Sequence, residues 1–211
     1  MARLRPIPLV LSSLMSLAAI SDDPFRAVGS EGIRERLKVA TSAAHHALDE
    51  RLGRFDLTTT AHYRRFLQAS AAALLPLEQM LDRCGAGAVL DDWPQRRRSD
   101  AIRIDLADLD GHDVPVDVPV PTLDRPSVLG TLYVLEGSRL GAVYLLRIVA
   151  ASADPRVRRA TRYLRHGAGQ GLWRSFLSRL AEERLAPGED ARVIASAHAA
   201  FAMFATAMAA A

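Results

Sequence analysis

The stretch LKVATSAAHHALDERL, residues 37–52, places a lysine, two histidines and an aspartate at spacings that matter on a helix. At about 100° per residue, Leu37, Thr41, Ala44, Leu48 and Leu52 form a narrow apolar stripe. His45 falls at the edge of that stripe, roughly 60° from its centre. Asp49 is one turn further on the same face, where a carboxylate can accept the Nδ1 proton of His45. That bond would fix the tautomer and leave Nε2 as a ligand of raised basicity. Lys38 lies two turns earlier at nearly the same azimuth and could reach an anionic group on whatever His45 binds. His46 points roughly 160° from the stripe, beside Ser42 and Glu50, and reads as a surface residue. On these residues alone, two readings of His45 stay open: a ligand, or a partly buried, hydrogen-bonded histidine.

A second stretch, SVLGTLYVLEGSRLGAVYLLRIVAA (127–151), is apolar yet contains Gly130, Gly137 and Gly141. Glycine inside a helix costs on the order of 1 kcal/mol relative to alanine, so three of them need a reason. One reason is close helix–helix packing, which the spacing by itself favours. The other is a helix that bends and lays bare backbone against a flat ligand. Ser138 could hydrogen-bond within such a pocket, and Tyr133, one turn earlier, could aim its hydroxyl at an anion.

The elements that must carry these residues are helical throughout. The periodicity predicts helices over about 31–53, 59–83, 95–109, 126–152, 154–164, 171–185 and 189–210. Ser30 is placed to cap the first, a threonine among 58–60 the second, and Pro76 to kink it. The QRRR run reads as a solvated face. HDVPVDVPVPTLDRP, with its regularly spaced prolines, reads as an extended connector rather than a strand. RHGAGQG lacks the Lys-Ser/Thr ending of a phosphate loop. The chain has 211 residues, 49% hydrophobic and 24% charged, which suits one domain, residues 31–211, of all-α bundle class. Residues 1–30 read as a disordered extension or a misplaced start rather than as the secretory signal that their apolar run weakly imitates. A net charge of +3 with interspersed signs excludes a nucleic-acid footprint. Lys38 is the sole lysine, and Cys84, the sole cysteine, permits no internal disulfide. Only the run 128–151 invites a membrane-spanning reading, and no membrane association is expected.

Three segments together resemble heme oxygenases, closest to the bacterial biliverdin-producing group. LKVATSAAHHALDERL is similar to the family's proximal pattern L-K-x-A-T-x-x-x-H followed by an acid. LGTLYVLEGSRLGA resembles its distal pattern, and RVIASAHAAFAMF its C-terminal helix. RYLRHGAGQGLWRSFL resembles the stretch between. The resemblance implies a heme slot between a proximal and a kinked distal helix. His45 then matches the axial iron ligand, Asp49 the acid that holds it, and Lys38 and Tyr133 positions that approach a propionate. Gly137, Ser138 and Gly141 match the distal helix, and Phe201 an aromatic near the pocket. Ala142 stands where many members have glycine, and Ser138 replaces the aspartate of the mammalian type. Arg174 and Arg179 are further propionate candidates, each also readable as a surface residue. The implied reaction takes heme, both substrate and cofactor, with O2 and electrons to biliverdin, CO and Fe(II). With no flavin or nicotinamide motif present, the expected partners are an electron donor such as a ferredoxin or its reductase, and a bilin acceptor such as a phytochrome. The expected location is cytoplasmic. The alternative is a non-catalytic heme carrier or sensor on the same fold. A di-iron centre would need E-x-x-H pairs, which are absent.

Overall fold

The helical periodicity after residue 30 becomes helix α1, Glu31–Leu52, in the computed structural model, which describes residues 31–113 and 122–211. The expected N-terminal extension, the Ser30 cap and most of the proline-spaced connector lie outside the described residues. Helix α2 (Thr60–Arg83) is capped by Thr59, whose side chain accepts the N–H of His62, and runs through Pro76 without ending there. Gly85, at φ +81°, supplies the left-handed turn after it. A 3-10 turn at Ala86–Ala88 leads to α3 (Trp93–Arg96) and α4 (Ser99–Ala107). Helix α5 (Arg125–Ala150) is capped by Asp124, which accepts the N–H of Ser127, and has Pro126 in its first turn. Then come α6 (Pro155–Arg159), α7 (Arg162–Arg165), α8 (Leu172–Glu182) and α9 (Glu189–Ala210). No strand occurs among the described residues.

Two expected helices are each broken in two, for one physical reason. Where a single helix over 95–109 was predicted, the chain turns at Arg97 and Arg98. The buried carboxylate of Glu78, on α2, accepts the backbone N–H groups of Arg98 and Ser99 at 2.8 and 2.9 Å. It thereby satisfies the donors that open α4. Where 154–164 was predicted as one helix, buried Asp105 of α4 accepts the N–H groups of Arg162 and Tyr163 at 3.1 and 2.8 Å and opens α7. Both caps come from distant sequence, so local pattern carries no trace of them. The QRRR run is corrected too: Arg97 is exposed, but Arg96 and Arg98 are each only 2% exposed.

Helix α9 is the floor of the bundle, packing on α5, α1 and α2. It is also the described helix long and apolar enough to cross a membrane, rather than the 128–151 run; here its apolar face is spent on its neighbours. Gly130 fixes how closely α5 approaches it. A Cβ there would collide with the Val193 carbonyl and the Ser196 hydroxyl, so the packing reading holds at this glycine.

Candidate active site

Helices α1 and α5 both pack heavily on α9 but hardly touch one another. The gap between them is a cleft of about 290 Å3, roofed on the remaining side by α2 and α7 residues such as Phe66 and Tyr163. All eight residues singled out in the sequence line it: Lys38, His45, Asp49, Tyr133, Gly137, Ser138, Gly141 and Phe201. Arg174 and Arg179 do not; Arg179 instead pairs with Glu182 and Glu183.

On the α1 wall, His45 Nδ1 lies 3.1 Å from Asp49 Oδ2, with the two side chains 22% and 19% exposed. A carboxylate only accepts, so Nδ1 carries a proton, and in the neutral ring that places the lone pair on Nε2. Nε2 has no hydrogen bond among the described residues. Phe201, from α9, sets its ring edge-on to the imidazole at 6.1 Å and 66°, which restricts the ring's rotation. His46 is corrected from a solvent residue to a half-buried one at the cleft's edge, its Nδ1 2.7 Å from the Ser42 carbonyl. Its azimuth follows the helical wheel, but the cleft is wide enough to include that face. The pairing with a carboxylate still distinguishes His45.

The cleft is polar at one end. Lys38 sits at the rim, 3.7 Å from Glu35. Tyr133 is buried, and burial pushes its hydroxyl above the ordinary phenol range; a hydrogen bond with Thr41 works against that rise. Lys38, Thr41 and Tyr133 therefore gather at one end. Toward the far end of α1 the lining turns apolar, with Leu48 and Leu52, joined by Leu145, Phe204 and Met208. Such a slot suits a flat apolar disc carrying carboxylates on one edge, with a neutral nitrogen presented to its face.

The opposite wall is α5, which stays α-helical through Gly137, Ser138 and Gly141, so the expected kink involves no interruption of the helix. A Cβ on Gly137 would meet only the Trp173 ring, at an ordinary 3.6 Å. Gly137 is thus not the packing glycine that Gly130 is. Trp173 also packs edge-on against Tyr133, with ring centres 5.4 Å apart.

Sequence reasoning missed what holds this wall in place. Glu136, fully buried, binds Arg96 Nη1 at 2.9 Å and Arg139 Nη2 at 2.8 Å. Arg96 goes on to the Leu172 carbonyl at 2.9 Å and the Ser175 hydroxyl at 2.7 Å, tying α3, α5 and α8 together. Arg98 donates from Nη2 to Ser138 Oγ and to the Leu135 carbonyl, both at 3.0 Å. A signal was there: a glutamate inside an otherwise apolar helix must find cations.

Comparison with known proteins agrees with this architecture. Residues 31–210 match the family model described as heme oxygenase. The chain is 32% identical over 166 residues to "Heme oxygenase PigA" of Pseudomonas aeruginosa, covering 72% of this chain and 82% of that protein. It is 33% identical over 149 residues to a "Heme oxygenase" of Xanthomonas campestris, covering 70% and 89%. In fold, it resembles the NO- and CO-bound heme oxygenase of Neisseria meningitidis, with a TM-score of 0.70 at 24% identity over 83% of this chain and 89% of that one. The chain belongs to the heme oxygenase family. It is an enzyme of heme degradation, and heme is its substrate.

Proposed function

We propose that this chain opens heme to biliverdin, releasing CO and Fe(II), with O2 and with electrons from a separate donor protein. The observation that carries the reading is the His45–Asp49 pair, set in an apolar cleft directly across from a glycine-bearing helix. Bound heme would supply both the iron that activates oxygen and the carbon skeleton that is cut. The chain's own residues do the rest. His45 would offer Nε2 to the heme iron, while Asp49 holds its Nδ1 proton and raises its basicity. Phe201 keeps the imidazole from rotating. Lys38 attracts a propionate at the rim, and the Tyr133 hydroxyl stands beside it. Gly137 and Gly141 keep the α5 wall thin, leaving room for an exogenous ligand where a side-chain donor would otherwise stand. Apolar side chains at the far end exclude water. A ferredoxin or its reductase is the proposed electron donor, a phytochrome a proposed bilin acceptor, and the cytoplasm the proposed location.

The test is to titrate the protein with hemin, then add ascorbate or a ferredoxin system in air. The Soret band should fall and bilin absorbance should grow. A Soret band that survives the reductant would mean a carrier or sensor instead. His45→Ala should abolish axial ligation and His46→Ala should keep it; the reverse pattern would sink the assignment.

A further inference from the structure

Arg98 is the side chain behind the cleft that packing leaves unexplained. It is 2% exposed, yet no carboxylate reaches its guanidinium among the described residues. Nη2 donates to Ser138 Oγ and the Leu135 carbonyl, and Nε is buried with no partner. The nearby acids are occupied elsewhere. Glu136 holds Arg96 and Arg139. Glu78 gives its two oxygens to the backbone of Arg98 and Ser99 and to the Ser99 hydroxyl. The guanidinium carbon lies 5.2 Å from the centre of the Tyr163 ring, a contact that recovers only part of the cost of burying a cation. Ser138 and Tyr163 both line the cleft. A positive charge whose guanidinium no carboxylate pairs thus stands one side chain behind the α5 wall, and in a water-poor interior its field reaches further than in solvent.

We propose that Arg98 is a positioning residue for the heme face opposite His45: its charge, felt across Ser138, makes that face favour anionic over neutral ligands. The inference rests on the heme site proposed above. The test uses the hemin-loaded ferric protein, with fluoride and azide as anions and imidazole as the neutral ligand. Arg98→Met should weaken both anions roughly tenfold while imidazole stays within about twofold. Arg98→Lys, which keeps the charge, should retain most of the anion affinity. Arg98→Gln, which removes the charge but keeps a donor for Ser138, should weaken the anions nearly as much as Arg98→Met, and it keeps the test decisive if Arg98→Met does not load hemin. Unchanged anion affinity in these variants, or equal loss of anions and imidazole, would overturn the proposal. Failure of the wild type to ligate hemin through His45 would instead overturn the heme-site reading. Normal His45 ligation with no Arg98 effect removes this inference alone.

Discussion

Gly130→Ala and Gly137→Ala are the same substitution on the same helix, and the structure predicts opposite outcomes. At both positions alanine gains on the order of 1 kcal/mol of helix propensity. At Gly137 the new methyl meets the Trp173 ring at 3.6 Å, a normal contact, so the gain survives. At Gly130 the methyl lands on the Val193 carbonyl and Ser196 hydroxyl of α9. A backbone carbonyl cannot rotate aside, so α5 and α9 must part by something on the order of 1 Å to restore contact distance. Overpacking of this kind costs about 1–3 kcal/mol, and more where backbone is involved. Because α9 also carries Phe201 against His45, the shift reaches the cleft as well. The expected net loss for Gly130→Ala is about 2 kcal/mol, which lowers the midpoint by roughly 4–8 °C for a domain of this size. Gly137→Ala should unfold at or slightly above the wild-type temperature. Thermal and urea unfolding of the heme-free proteins measures both. A Gly130→Ala protein as stable as wild type, or a Gly137→Ala protein that is the weaker of the two, would refute the assignment of packing to one glycine and cleft to the other.

Asp49→Ala should weaken hemin binding roughly 10- to 100-fold by releasing the His45 tautomer, read by hemin titration at fixed pH. Glu136→Gln leaves Arg96 and Arg139 buried around a neutral amide and should cost about 3–5 kcal/mol in urea unfolding. His166 should make stability pH-dependent. Burial, then the Arg139 and Arg98 charges, push its imidazole below the ordinary 6.5, with Glu136 pulling the other way. The unfolded chain therefore takes up that proton first as pH falls. Its contribution is complete above about pH 6.5 and drains as pH drops through the lower folded value. His166→Gln should flatten that part of a melting-temperature profile taken between pH 5 and 7.5.

The parts of the site written within one helix were legible in the sequence. His45 and Asp49 are four apart on α1, so helical geometry alone puts them in contact, and the 3.1 Å pair follows. The helix end at Thr59, within the threonine run expected to cap α2, follows from local capping chemistry in the same way. What escaped was everything set by a partner far along the chain. Glu78 and Asp105 open helices about 20 and 57 residues away, and no window of sequence shows that. His46 was misjudged for a related reason: a helical wheel gives direction but not the width of the gap that the neighbouring helices leave.

The motif LEGSRLG, residues 135–141, shows why that division falls where it does. A helix that must present bare backbone to a ligand loses the side chains that would otherwise hold it in place. Gly137 and Gly141 give α5 a thin wall on the cleft and contribute nothing to anchoring it. The intervening residues supply the anchors: Glu136 through Arg96 and Arg139, and Ser138 through Arg98. Those bonds fasten the wall to α3, α8 and the turn that opens α4. Two turns before Gly137, Gly130 does the reverse and lets α9 seat tightly enough to fix the floor. The glycines and the buried charges are thus two halves of one requirement: a wall that is thin on the cleft and still held rigidly within the bundle.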